Sequence, residues 1–164
     1  MSGTTSATVE HCIFALNGLN GITVEDHSQL TAESCQMVSN HQTGVVFYSD
    51  SSGVVRSSIC SSNGYGGLSA QANTHVTFED NQCAQNASSG IGLFTNAVGT
   101  VRGNICTDGP NCGISFWGNS SGTAVDNECT RNQWGLYVQA TATPAIGTNN
   151  LHGNTYDFLD ERLK

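Results

Sequence analysis

Apolar residues in this chain come two apart and then recur on a fixed period. Ile22 and Val24 are followed by Val45 and Phe47, Leu68 and Ala70, Ile91 and Leu93, Ile114 and Phe116, then Leu136 and Val138. A glycine precedes each pair. Gly21, Gly44, Gly67, Gly90 and Gly113 are 23 residues apart, and Gly135 follows after 22. Apolar–polar–apolar triplets closed by a polar turn predict short strands with one buried face. The constant period predicts that one such unit is stacked on itself.

Counting each repeat from its glycine as position 1 reveals two more apolar columns. Position 12, with a partial first coil, reads Val9, Ala32, Val55, Phe78, Val101, Ala124 and Ile146. Position 17 reads Phe14, Met37, Cys60, Cys83, Cys106, Cys129 and Leu151. The series needs only one deletion, between Asn132 and Gly135. Two polar rows run beside these columns. Position 15 reads Cys12, Cys35, Ser58, Asn81, Asn104, Asn127 and Asn149, and position 20 reads Asn17, Asn40, Asn63, Asn86, Gly109, Asn132 and Asn154. Asparagines stacked one per coil are expected to pass amide hydrogen bonds from coil to coil, giving each buried amide a partner.

The unit Asn-x-Cys-x-x-Asn, a short turn, then Gly-Ile-x-aliphatic resembles the parallel β-helix repeat of the right-handed, pectate-lyase-like superfamily, including its NosD-like branch. The resemblance covers roughly residues 7–154. It implies an all-β, right-handed, single-stranded parallel β-helix of about seven 23-residue coils, a column on the order of 30 Å tall at normal strand spacing. Residues 1–154 are expected to form this solenoid. Residues 155–164 leave the repeat and set charges beside Phe158, Leu159 and Leu163, which predicts a C-terminal cap with a short helix. The first residues offer no comparable segment, so that end is expected to fray or to continue from a longer protein.

Composition changes the picture in a few respects. Charged residues are 11% and hydrophobic ones 37%, a pairing that would suggest disorder without the periodicity. A net charge of −8 with no Lys/Arg run disfavours nucleic acid and anionic membranes as partners. No run of apolar residues is long enough to span a membrane. The first residues lack the basic and apolar regions of a secretory signal, which leaves a cytosolic protein or a mature or excised domain as alternatives.

Six of the seven cysteines fall in the position-15 and position-17 rows, which predicts buried, unreactive thiols. Parallel stacking aims their Cβ vectors the same way, a poor geometry for disulfides. Cys112, in the turn before Gly113, is the thiol expected at the surface. No Cys-x-x-Cys or His-x-x-x-His pair occurs, and the five histidines fall in different positions of the repeat. The NosD-like resemblance implies a link to copper, but no Met/His/Cys cluster supports ligation, so neither metal nor cofactor is expected.

Candidate chemistry lies on outward positions. Position 5 reads Glu25, Tyr48, Gln71, Phe94, Trp117 and Gln139, so Tyr48, Phe94 and Trp117 are expected as an exposed stripe. Such rings could stack on sugar faces or on a partner protein, or could merely cover the sheet. Position 11 is a threonine row like those of ice-binding solenoids, but its flanking positions are mixed. Position 13 places Arg56 and Arg102 among Glu10, Glu33 and Glu79, which predicts ion pairs between coils.

Asp80 and Asp126 lie two coils apart, roughly 9–10 Å by strand spacing, near the separation of an inverting glycosidase pair. They read more simply as solvated turn carboxylates. The superfamily's Asp-Pro-His-Asp and Gly-His-Gly signatures are missing, and every repeat is 22 or 23 residues, leaving no insertion to wall a cleft. Three readings stay open. The first is a non-catalytic binding module for an extended polysaccharide or protein partner. The second is a small polysaccharide-active enzyme of lyase, epimerase or glycosidase type. The third is a purely structural solenoid or a piece of a larger scaffold.

Overall fold

The computed structural model describes residues 1–164 and shows an all-β parallel solenoid of about seven coils. Each coil contributes one strand to each of three faces. The first face, here the glycine sheet, holds Ile22–Val24, Val45–Phe47, Leu68–Ala70, Ile91–Leu93, Cys112–Phe116, Trp134–Val138 and Tyr156–Asp160. The threonine sheet holds seven strands from Ser6–Glu10 to Thr143–Ile146. The cysteine sheet runs from Ile13–Ala15 to Asn150–His152, in two strips joined through single bridges at Ile59. All pairing is parallel, and neighbours differ by one repeat, as in Ile91 against Ile114 or Cys83 against Cys106.

The recurring glycine is explained by close approach between coils. A Cβ on Gly21, Gly44, Gly67, Gly90 or Gly113 would lie 2.5–2.8 Å from the carbonyl oxygen of the next glycine up the column. That space is filled by backbone, so no larger residue fits. The corners have a different rule. Each coil turns three times through a residue at positive φ, in columns such as Asp26, Ser49, Ala72, Thr95, Gly118 and Leu16, Ser39, Ser62, Gln85, Asp108, Arg131, Gly153. Most of these are not glycine, although the left-handed region costs other residues about 1–2 kcal/mol each.

The core lies between the faces and is built from the four apolar columns read in the sequence, with Ala97 and Ala142 and position 10 of the repeat. There Leu30 and Val76 alternate with Gly53 and Gly99, where the Phe47 and Leu93 side chains occupy the space, and Gly122 follows, pressed against the backbone of Gly99. A Cβ on Gly53 would meet the Phe47 ring at 2.7 Å. The asparagine rows bond as their spacing requires. Asn81 donates its backbone N–H and side-chain amide to Asn104 Oδ1, both at 3.0 Å, and Asn104 does the same to Asn127. Each amide also donates down to the coil before, as Asn104 does to the Phe78 carbonyl at 2.9 Å. Gly109 interrupts the second row, yet its N–H still reaches Asn132 Oδ1.

Both ends keep the pairing of the coils beside them. Residues 155–164 begin with one more rung rather than a helix, because Tyr156 and Phe158 sit in register with Trp134 and Leu136. Only Glu161–Leu163 turns, as a 3₁₀ segment tied back by Arg162 to Asp160 and to the Pro144 carbonyl. The first residues do not splay. Met1 donates its amine to the Thr23 carbonyl, and Gly3, Thr5 and the Asp26 carboxylate continue the pairing.

Candidate functional site

Position 3 of each repeat points outward from the glycine sheet, yet Val46, Ser69, Ser115 and Tyr137 are buried. Something must lie over them. The covering groups are the rings of position 5 and of the turn that leads into each glycine. A Cβ on Gly92 would lie 2.5 Å from the ring of Phe94, so that ring folds back across its own strand.

Tyr48, Phe94 and Trp117 are therefore each half-buried rather than standing free in solvent. They share a row as the spacing required, but the rings are not stacked on one another. Trp117 instead packs on Tyr137 of the next coil, with ring centroids 4.4 Å apart. Trp134 lies 6.4 Å from Tyr137 and stacks on Tyr156 at 6.1 Å and 21°. Tyr65 adds a further ring beside Tyr48 and Phe94. All four tyrosines, both tryptophans and Phe94 thus sit on or against one outer face. Sequence reasoning found three of the seven. Tyr65 and Tyr137 are the lone rings of their columns, and Trp134 and Tyr156 share a column only in the last two rungs, so no sustained periodic signal marked them.

Two dents open on this face, with Tyr65 as the wall between them. The wider, about 350 Å³, is lined by His41, Gln42, Thr43, Tyr48, Tyr65 and Gln71. The smaller, about 10 Å³, lies under Tyr65 and Phe94 and is floored by Ser69 and Gly92. Burial holds the Tyr48 hydroxyl above its ordinary pKa, with Glu25 and then Tyr65 adding to the effect. No arginine or lysine lines either dent.

A family model described as "Periplasmic copper-binding protein (NosD)" matches residues 1–162. The chain belongs to the NosD family. No curated protein matches it in sequence.

Other candidates in this NosD-family solenoid are not brought together. Asp80 and Asp126 are exposed corner residues, and the Asp80 carboxylate lies over the α-carbon of Gly103. Asp126 instead shares an open dent with Glu128 and Asn149. Arg56 pairs with Glu33 at 2.6 Å and Arg102 with Glu79, so position 13 is used up in ion pairs between coils. The expectation for Cys112 is corrected: it is 1% exposed, because it opens the strand Cys112–Phe116 opposite Trp134 rather than standing in a free turn. Its Sγ donates to Asn111 Oδ1 at 3.3 Å, and burial pushes the thiol up to about 12. Cys12 is the one cysteine left half-buried.

Proposed function

We propose that this chain is a non-catalytic binding module whose outer glycine-sheet face holds an extended polysaccharide. The observation that carries the reading is the gathering of every tyrosine and tryptophan, with Phe94, on that one face. Rings aligned along a flat solenoid offer apolar faces to pyranose rings, and the hydroxyls, His41 and Gln71 offer polar partners to their edges. The same face has no nucleophile–base pair in a cleft, and Asp80 and Asp126 lie at another corner. A structural role is the competing reading, and the mutual packing of Trp117 and Tyr137 is what favours it.

The family's description names copper, so the donors were compared with that metal's needs. Cys60, Cys83, Cys106 and Cys129 form a line of sulfurs sealed in the core, one per coil, without converging on a point. Burial, with a bond to Cys83, pushes the Cys60 thiol well up, and bonds from Cys106 and Cys60 lower Cys83, so the stack shares its protons along one line and does not present the set of thiolates that a soft metal requires. No three His, Cys, Asp or Glu side chains are placed to hold a metal ion. The residues present do not fit copper.

The deciding experiment is a glycan-panel screen of the intact chain beside a Trp117→Ala, Phe94→Ala double variant. Binding by the intact chain that disappears in the variant supports the reading. Absence of binding by the intact chain overturns it in favour of the structural role.

A further inference from the structure

Ser69 is the anomaly of this face. Its side chain is 3% exposed, and its hydroxyl has no hydrogen-bond partner in the protein. Two residues of the same outer row and turn, Ser115 and Ser89, satisfy each other at 2.9 Å. An unpartnered buried hydroxyl is destabilising, and alanine would remove the problem without changing the strand. Ser69 lines the water-sized dent beside Tyr65 and Phe94. The wider dent, bounded by Tyr48 and Tyr65, lies on the other side of the Tyr65 ring and is of ligand-holding size.

The charges around these dents select the ligand. Of the five basic side chains, Arg56, Arg102, Arg131 and Arg162 are paired with Glu33, Glu79, Asp108 and Asp160, and Lys164 ends the chain. None of the five lines either dent. Glu25 stands close enough to Tyr48 to oppose its ionisation, and the chain carries a net charge of −8. An acidic sugar would meet repulsion without a countercharge. The polar groups on offer are uncharged hydroxyl and amide partners, which suit a hydroxyl-rich neutral ligand.

We infer that the ligand is an uncharged glycan that crosses the Tyr65 wall, one sugar ring seated in the dent between Tyr48 and Tyr65 and the next over the water-sized dent that Ser69 lines. The inference rests on the polysaccharide-binding reading above and narrows it to one subsite and one ligand class. A sugar ring stacks against Tyr65, His41 and Gln71 bond its edge, and Ser69 bonds a ligand hydroxyl or a water that the ligand holds in place.

The test is titration calorimetry of the full chain with neutral hexasaccharides (gluco-, xylo-, manno- and galacto-) and with matched uronate hexasaccharides. Tyr65→Ala, Ser69→Ala and Trp117→Ala are run in parallel with thermal melts. The expected result is binding of a neutral member, weakened about tenfold by Tyr65→Ala and about fivefold by Ser69→Ala, the worth of one hydrogen bond. The Ser69→Ala protein should melt at the same temperature or higher. Preference for uronates overturns the ligand class while leaving the polysaccharide reading intact. Neutral binding that falls with Trp117→Ala but not with Tyr65→Ala or Ser69→Ala overturns the subsite alone. A Ser69→Ala variant that melts lower and binds normally assigns that hydroxyl to structure and removes it from the site. Failure of the intact chain to bind any sugar overturns both this inference and the reading beneath it.

Discussion

The ring centroids of Trp117 and Tyr137 lie 4.4 Å apart, although the two residues belong to different rows of the repeat. Trp117 leaves its strand at position 5 and returns over the position-3 side chain of the next coil. The aromatic face is thus held in shape by contacts between coils, not by each ring standing alone. Tyr137→Ala should cost about 2–4 kcal/mol, the range for losing a largely buried aromatic pair. It should also expose the indole of Trp117. Denaturant midpoints measure the first, and a red shift of tryptophan emission in the folded variant measures the second. Unchanged emission would mean the pair does not form in solution.

Asn104 serves two coils at once. Removing its side chain leaves the backbone N–H and one amide hydrogen of Asn81 without an acceptor and takes one donor from the Phe78 carbonyl. Asn104→Ala is expected to cost about 3 kcal/mol or more, at about 1–3 kcal/mol for each stranded buried group. Asn104→Ser should cost less, since Ser58 already fills this position and takes the Cys35 N–H at 3.0 Å. Chemical denaturation of the two variants side by side checks the order.

The thiols make a simple prediction. With the protein folded, one cysteine should react quickly with a thiol reagent at neutral pH, and peptide mapping should identify it as Cys12. The other six should react only at the rate of unfolding. Rapid labelling of Cys112 would contradict its buried placement opposite Trp134.

Alkaline pH should weaken the fold, and the sign follows from the direction of two shifts. Burial, only partly offset by the bond to Ser89, raises the Cys112 thiol to about 12. Burial first and the Glu161 carboxylate second raise the Tyr137 hydroxyl to about 12. Both groups are neutral in the fold while the unfolded chain already ionises, near pH 8.5 for the thiol and about 10 for the phenol. Their contribution is therefore complete below about pH 8.5 and lost as pH rises toward 12. Urea midpoints between pH 7 and 11 should fall, and Cys112→Ala should flatten the first part of that fall.

Thr95 offers an improvement. It sits at φ 62° in a corner column where Gly118 occupies the next coil. A β-branched residue is strained there, so Thr95→Gly should raise stability by about 1 kcal/mol even after the added flexibility of the unfolded chain. A thermal melt decides the sign.

The columns that repeat were legible in the sequence and the groups that occur once were not. Gly44, Val45 and Phe47 announce a strand because the same triplet recurs five more times, and Asn81, Asn104 and Asn127 announce their own partners by spacing. Trp134, Tyr137 and Tyr65 carry no such signal. Their meeting depends on where side chains fold after leaving the sheet, which periodicity leaves undetermined. Cys112 was misplaced for a related reason. A residue just before the glycine looks like turn, yet in that coil the strand starts two residues early. The same gap separates Tyr48, Phe94 and Trp117 as a row in the sequence from the half-covered rings they prove to be.

Asp157 occupies the position that glycine holds in the coils beneath it. Its Oδ1 accepts the backbone N–H of Asn154 at 3.2 Å and its amide at 3.0 Å, taking the place of the next asparagine in the row. It also carries a Cβ where the column below has none, pointing to where a further coil's carbonyl would have to lie. The Asn154 donors are satisfied from within the same rung rather than by a residue one coil further on. In this rung a residue of the glycine column thus takes over the acceptor duty of the asparagine row, so that two lines kept apart in every coil beneath converge on one side chain.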